Sequence, residues 1–266
     1  MKIREIIAAL EQFAPLPLQE SYDNAGLQCG LTEAEVSGAL LCLDVTEDVL
    51  HEAVDLGCNL IVSHHPLLFH GLKQVTDQTL VQRCLRFAIQ NELCIYAAHT
   101  NLDNAEDGVN YRMAEKLGLI DVQFLEPRTV LLPSGFQIKA GSGVIGYLPE
   151  AEDSLAFLQR VKQAFHVEAL QHNQLLDSPI QSVAICGGAG DFMLDAAIRA
   201  EADAFLTGEM HYHVWFGHEQ RIQIAVLGHY ESEQYTREIF RSIIEGAAPQ
   251  LSVYDTETVT NPIHIL

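Results

Sequence analysis

Two adjacent histidines, His64 and His65, interrupt the run LIVSHHPLLFHGLK. Neutral imidazole is the commonest metal ligand in proteins. Leu60-Ile61-Val62 reads as a buried parallel strand that stops at Ser63, and Pro66 keeps the residue before it out of the helical region. Both rings therefore sit in a turn, where neighbouring side chains can reach one cavity instead of opposite faces of a strand. A second grouping is GHYESE, in which His229 and Glu233 fall at i and i+4 on the first turn of a helix and face one way, while Glu231 points elsewhere. Asp103 follows the apolar run LCIYAA and His99, and Glu209, His211 and His213 stand together in GEMHYH.

Histidines with carboxylates and no cysteine specify borderline to hard divalent ions: Zn, Fe, Mn, Co or Ni. Five or six such ligands exceed the needs of one tetrahedral zinc. A carboxylate able to bridge, such as Glu233, allows two ions side by side, an arrangement that acidifies a bound water and clamps an oxyanion, so metal-assisted hydrolysis is the natural chemistry. His99 reads either as a direct ligand or as a residue that orients Asp103. Glu209, His211 and His213 read as lining or proton-transferring groups, with Glu209 the candidate catalytic residue, or else as decoration of a surface loop. Asp44 and Asp107 read as a turn residue and a helix cap. The sequence holds no GxSxG elbow, no P-loop and no cysteine with a clear histidine partner.

These residues need strands to deliver them. Gly38 to Leu43 reads as a strand, Thr46 to Leu56 as an amphipathic helix capped by Thr46 and stopped by Gly57, and Leu60 to Ser63 as the next strand, a βαβ unit. A helix from about Thr79 to Gln90, a strand Leu93 to Ala98 and a helix Gly108 to Leu117 follow. Residues 183–209 repeat the strand, turn, helix, strand plan of residues 40–65, with Ser63-His64-His65 opposite Thr207-Gly208-Glu209, and LCIYAAH ending at His99 matches IQIAVLGH ending at His229. The expectation is an α/β fold of two similar halves with mixed sheets, residues 1–125 carrying the histidine pair and Asp103, and 126–266 carrying His229 and Glu233. The metal site lies at the strand C-terminal ends between the halves, where open α/β sheets collect ligands. Between the repeats, TVLLPSGFQIKAGSGVIGYL alternates as strands, with Gly141-Ser142-Gly143 a tight turn, followed by the helix DSLAFLQRVKQAF and a short strand VEALQH. LSVYDTE and PIHIL read as closing strands, and APLPLQESYDNAGLQCG as a loop.

Composition narrows the class. The 266 residues are 48% hydrophobic with mean hydropathy +0.09, enough for a substantial core. Lys and Arg number 15 against 36 Asp and Glu, a net charge of −21 that repels phosphate backbones and argues against nonspecific nucleic-acid binding. The cysteines lie singly in apolar settings without CxxC spacing, as reduced core thiols do. MKIREIIAALEQF reads as an amphipathic helix and not a signal peptide, and no apolar run reaches membrane-spanning length, so a cytoplasmic location without a membrane partner is expected.

With those residues placed, the chain resembles the Nif-three-like family of dinuclear-metal proteins, whose members carry the name GTP cyclohydrolase 1 type 2 homologue. SYDNAGLQCG, LIVSHHPLLFHGLK, AAHTNLDNAEDGVN, GSGVIGYL, FLTGEMHYH, GHYESE and PIHIL carry the resemblance over nearly the whole length. It implies that His64, His65, Asp103, His229 and Glu233 hold two metal ions with Glu233 as the bridge, and that the chain is a toroidal homohexamer with its sites facing an internal cavity. The chain matches the short form of the family, without the extra domain that longer members insert between the halves. Tyr22 stands where a Trp is common, and Met210-His211 replaces a more usual Ile-Lys. The expected function is a metal-dependent hydrolase of the cyclohydrolase type, acting on a nucleotide or another small polar substrate. The alternative is a non-catalytic metal-binding or scaffold protein that forms a ring.

Overall fold

A computed structural model describes residues 1–266. It opens with α1 (Ile3–Phe13), β1 (Gly26–Cys29), β2 (Ala39–Cys42), α2 (Glu47–Asp55), β3 (Leu60–Ser63), α3 (Leu80–Gln90), β4 (Cys94–Ala97) and the short α4 (Thr100–Asp103). It continues through α5 (Val109–Leu117), β5 (Ile120–Leu131), β6 (Gln137–Glu152), α6 (Ser154–Phe165), β7 (Gln171–His172), β8 (Ile180–Cys186), α7 (Leu194–Arg199), β9 (Ala204–Thr207), β10 (Gln223–Val226) and α8 (His229–Glu233). It closes with α9 (Thr236–Ala247) and β11 (Val253–Asp255).

The chain forms two compact units, 1–102 with 236–262, and 103–235 with 263–266. The sequence suggested one division near residue 125. The difference has a simple origin: β5 and β6 belong to the second sheet from their first residue, while α9 and β11 return to the first, β11 pairing with β2 and α9 packing on α1 and β2. No helix is long and apolar enough to cross a membrane.

The first unit holds a five-stranded mixed sheet in the order β1-β4-β3-β2-β11. Strands β2, β3 and β4 are parallel and buried at every residue, as apolar runs covered on both faces require. Thr46 and Thr79 start α2 and α3 by accepting the amides of Val49 and Gln82, each at 3.3 Å. Leu40, Val49, Leu50, Ile61, Leu85 and Ile95 share one core cluster. Strand β1, expected as loop, instead pairs antiparallel with β4. Glycines in the left-handed region at both ends (Gly26, φ 106°; Gly30, φ 111°) hide it from propensity, and a Cβ on Gly30 would overlap the backbone of Cys94.

The second unit holds a six-stranded mixed sheet, β5-β6-β8-β9-β10-β7, whose members β8, β9 and β10 are parallel. Consecutive residues Phe205 and Leu206 of β9 enter different core clusters, so both faces of this sheet are covered. The repeat read from sequence is thus a repeat of topology, three parallel strands in each half. Gly141-Ser142-Gly143 is not a turn but lies within β6, paired with Pro127 and Glu126 of β5. Glycine is needed at 141 because a Cβ there would meet the Glu126 carbonyl and Phe124 at 2.7 Å, and Gly143 has φ 58°. VEALQH contributes only Gln171–His172, and PIHIL forms no strand.

Beyond the contact of β6 with β8, which begins at Val144, the strands β5 and β6 pair only with each other as a two-stranded arm. Its tip exposes Leu131 and Phe136.

Candidate metal centre

In the first unit, β3 and β4 end side by side and release His64, His65 and His99. Ala98 donates its amide to the Ser63 carbonyl at 3.0 Å and Ser63 Oγ donates to the His65 carbonyl at 2.9 Å, which fixes the turn the two histidines occupy. The three rings cluster, with centroids 5.0 Å (His64 to His65), 5.3 Å (His64 to His99) and 5.5 Å (His65 to His99) apart. A ring nitrogen from each lies within 4.8 Å of one from the others.

Each ring is held at Nδ1 by an acceptor. His64 Nδ1 is 2.8 Å from the carbonyl of Ala98, His65 Nδ1 2.7 Å from Asp44 Oδ1, and His99 Nδ1 2.8 Å from Asp23 Oδ1. Carbonyls and carboxylates only accept, so Nδ1 carries a proton in each case, and in the neutral ring Nε2 carries the lone pair. Metal-binding histidines are prepared in this way. The acceptors are themselves anchored: Asp44 Oδ2 accepts from Thr260 Oγ1 at 2.8 Å, and Asp23 Oδ2 accepts from the Thr100 amide at 3.0 Å. Burial pushes the Asp23 carboxyl up, but hydrogen bonds from His99, Thr100 and the Asn24 amide outweigh it and carry the carboxyl down to about 2.

This network gives SYDNAGLQCG its job. Asn24 donates to the Leu68 carbonyl at 2.7 Å and Gln28 accepts the Leu68 amide at 3.0 Å, so the segment that supplies Asp23 also ties down the loop after the histidine pair. Sequence reasoning passed over Asp23 as a turn residue and Asp44 as a turn residue too. The signal that finds them is an acid placed where a histidine needs an Nδ1 partner, and it is invisible without the fold.

In the second unit, α8 carries His229 and Glu233 one turn apart, with Nε2 of His229 3.0 Å from Oε2 of Glu233. Nδ1 of His229 lies 2.9 Å from Oε1 of Glu209, so Glu209, expected as a proton-transfer group, touches the ring at the side away from Glu233. In the neutral ring with Nδ1 donating to Glu209, Nε2 and Oε2 face each other as two lone-pair atoms, a contact that either a second ring proton or a cation relieves. A carboxylate oxygen of Asp103 lies within 4.8 Å of one of Glu233, and two carboxylates at that range repel unless a cation intervenes. The Glu233 side chain is only 5% exposed, so its charge has little water to stabilise it.

Glycines let three strand-end loops close around α8. Gly188 has φ 58° and a Cβ on it would overlap the Glu233 carboxylate, while a Cβ on Gly208 would approach Ser232 Oγ at 2.6 Å. The Gly188 amide donates to Ser232 Oγ at 3.0 Å, and Asn110 of α5 accepts the Gly187 amide at 2.9 Å and donates to the Asp103 carbonyl at 3.1 Å. His211 is exposed and bonded through Nδ1 to Asp191 at 2.5 Å, and His213 is exposed, and neither joins a group of converging ligand atoms. All cysteines are free, and at Cys186 burial, then the charges of Asp103 and Glu233, push the thiol well up, which keeps it protonated and out of the ligand set.

Residues 1–262 match the family model Duf34/NIF3 (NGG1p interacting factor 3). A Clostridium acetobutylicum protein named GTP cyclohydrolase 1 type 2 homolog is 31% identical over 95% of this chain and 93% of its own length. A relative of the same name from Halalkalibacterium halodurans is 27% identical over 97% of this chain and 96% of its own length; that alignment runs over 361 positions, so the relative carries residues this chain lacks. Among solved structures, a Bacillus cereus protein related to NIF3 superposes with a TM-score of 0.87 at 25% identity, covering 100% of this chain and 99% of that one. With a family match across residues 1–262 and the same mixed α/β fold, the chain belongs to the Duf34/NIF3 family.

Proposed function

We propose that the protein binds two divalent metal ions through His64, His65, Asp103, His229 and Glu233, with Glu233 bridging, and is a metal-dependent hydrolase of the type its relatives' name describes. The observation that carries this reading is the uniform anchoring of Nδ1 in His64, His65 and His229, with His99 beside them held the same way, which leaves Nε2 of the three proposed ligands to face a metal. Nitrogen and carboxylate donors without thiolate fit Zn, Fe, Mn, Co or Ni. When bound, such ions supply Lewis acidity and a water acidified toward neutral pH.

The chain's own residues do the rest. Asp44, Asp23, Glu209 and the Ala98 carbonyl hold the imidazole rings in register, and the buried Glu233 carboxylate offers negative charge that only a cation neutralises well. Glu209 is a positioning residue, acting through His229. A small-molecule substrate at the strand ends is consistent with where α/β sheets bind ligands.

For assembly, the proposal is the homohexameric ring that the resemblance implies. It is supported by the β5–β6 arm, since an isolated two-stranded ribbon with an apolar tip is marginal in water and gains from a neighbour. The alternative, a ring that handles metal or partners without catalysis, shares the metal site and differs only in turnover.

Elemental analysis of chelator-free protein is expected to return about two divalent ions per chain, lost in His64→Ala and Glu233→Ala, with Glu233→Gln folded but inactive on any substrate the native chain hydrolyses. Metal binding with no turnover across a substrate panel would favour the scaffold reading, and no metal after reconstitution would refute both. Asp44→Ala and Glu209→Ala should each weaken metal affinity by about 10–100-fold in a chelator competition, with little change in the melting temperature of the metal-free chain. Phe136→Asp at the arm tip should shift the mass measured by light scattering from the ring toward smaller species; an unchanged mass would remove the arm from the interface.

A further inference from the structure

Beside His229, on the side of Glu209, a cleft of about 510 Å³ opens within the second unit, a size suited to a small molecule. Its walls are apolar: Leu170 before β7, Met210 after β9, Leu227 after β10, and Ile263 and Ile265 of the C-terminal segment. Its charged side chains are Glu209 and Glu231, and no Lys or Arg lines it. Phosphate groups are recognised by Arg, Lys or the amides of a helix N-terminus, and the helix here, α8, has only 5 residues. In the metal-free chain, a polyphosphate entering this cleft would lose water to apolar walls and meet two carboxylates. The chain's net charge of −21 adds a far field of the same sign, which concentrates cations and repels anions.

We propose that this cleft binds an apolar group bearing an ammonium head, with the amine at Glu209 and Glu231 and the hydrocarbon body against Leu170, Ile263 and Ile265. Where the proposed hydrolase draws on this cleft, the cleft adds a subsite for an amine-bearing apolar group beside the metal ligands. This assignment rests on the metal-site reading for the chemistry done beside the cleft, while binding to the cleft itself needs no metal.

The test uses the metal-free chain of residues 1–266 with isoleucine methyl groups labelled for NMR. Titration with 2-phenylethylamine is expected to shift the Ile263 and Ile265 methyl signals saturably, and 3-phenylpropanoate, which has a similar body with an anionic head, should bind about tenfold more weakly or worse. GTP should leave both signals unmoved. Ile265→Arg, at an exposed position that threatens no core packing, should abolish the amine response at Ile263. Glu231→Gln should cut the preference for the amine over neutral 3-phenylpropanamide by about two- to fivefold. Equal or tighter binding of the propanoate or GTP, or an amine response that survives Ile265→Arg, would overturn the proposal. A parallel zinc titration separates the two readings: zinc bound without an amine response defeats the cleft assignment alone, and an amine response in a chain that takes no zinc upholds the cleft and defeats the metal centre.

Discussion

The candidate centre depends on one repeated constraint, an acceptor fixed at Nδ1 of each histidine that could ligate a metal. A neutral imidazole has one proton and one lone pair, so assigning the proton to one nitrogen aims the lone pair from the other. Here the acceptors come from four places in the sequence, Asp23, Asp44, the Ala98 carbonyl and Glu209. The fold reads as the machinery that brings them to the histidines. The parallel strands β2, β3 and β4 leave Asp44, His65 and His99 at neighbouring ends, β1 and the segment before it supply Asp23, and the segment after β11 supplies Thr260 to hold Asp44.

The two halves solve the same problem with a shared plan. Strand β3 ends in Ser63 and strand β9 in Thr207, and each hydroxyl donates to the carbonyl two residues on, in His65 and Glu209. After the third parallel strand each half places a histidine four residues before an acid, His99 with Asp103 and His229 with Glu233. The halves then diverge. In strand register Ala97 of β4 and Val226 of β10 take equivalent places, opposite Ser63 and Thr207, so His229 falls one residue later than His99. At the position of His65 the second half has Glu209, and a ligand candidate in one half corresponds to a histidine anchor in the other. Glycines 187, 188 and 208 give the second half its tight cradle around α8, which the first half lacks in sequence.

Much of this was legible in the sequence because its determinants are local. The strand ends at Ser63, Ala97, Thr207 and Val226 follow from apolar runs cut by turn residues, and the i, i+4 pairing of His229 and Glu233 follows from helical spacing. What stayed hidden was set by distance along the chain. Asp23 lies 76 residues from His99, and Asp44 is 21 from His65, so no spacing rule joins them. Strand β1 was hidden by its flanking glycines, which read as loop but serve a close approach to β4. The segment PIHIL looked like a strand because its apolar residues alternate, yet Ile263 and Ile265 line a cleft instead of a ladder. Composition showed the acidity of the whole, but not that two of its carboxylates stand in an apolar cleft beside His229.

The central proposal is that these anchored histidines, with Asp103 and the buried Glu233, hold a pair of metal ions. Anomalous diffraction at the metal absorption edge, from crystals of the full chain grown with a slight excess of zinc or manganese, tests it most directly. The account predicts two strong peaks about 3.5–4 Å apart, with Nε2 of His64, His65 and His229 and the carboxylates of Asp103 and Glu233 in coordination range. Peaks confined to surface acids such as Asp48 and Asp55, or coordination through Nδ1 with the Asp44 and Glu209 contacts broken, would contradict it.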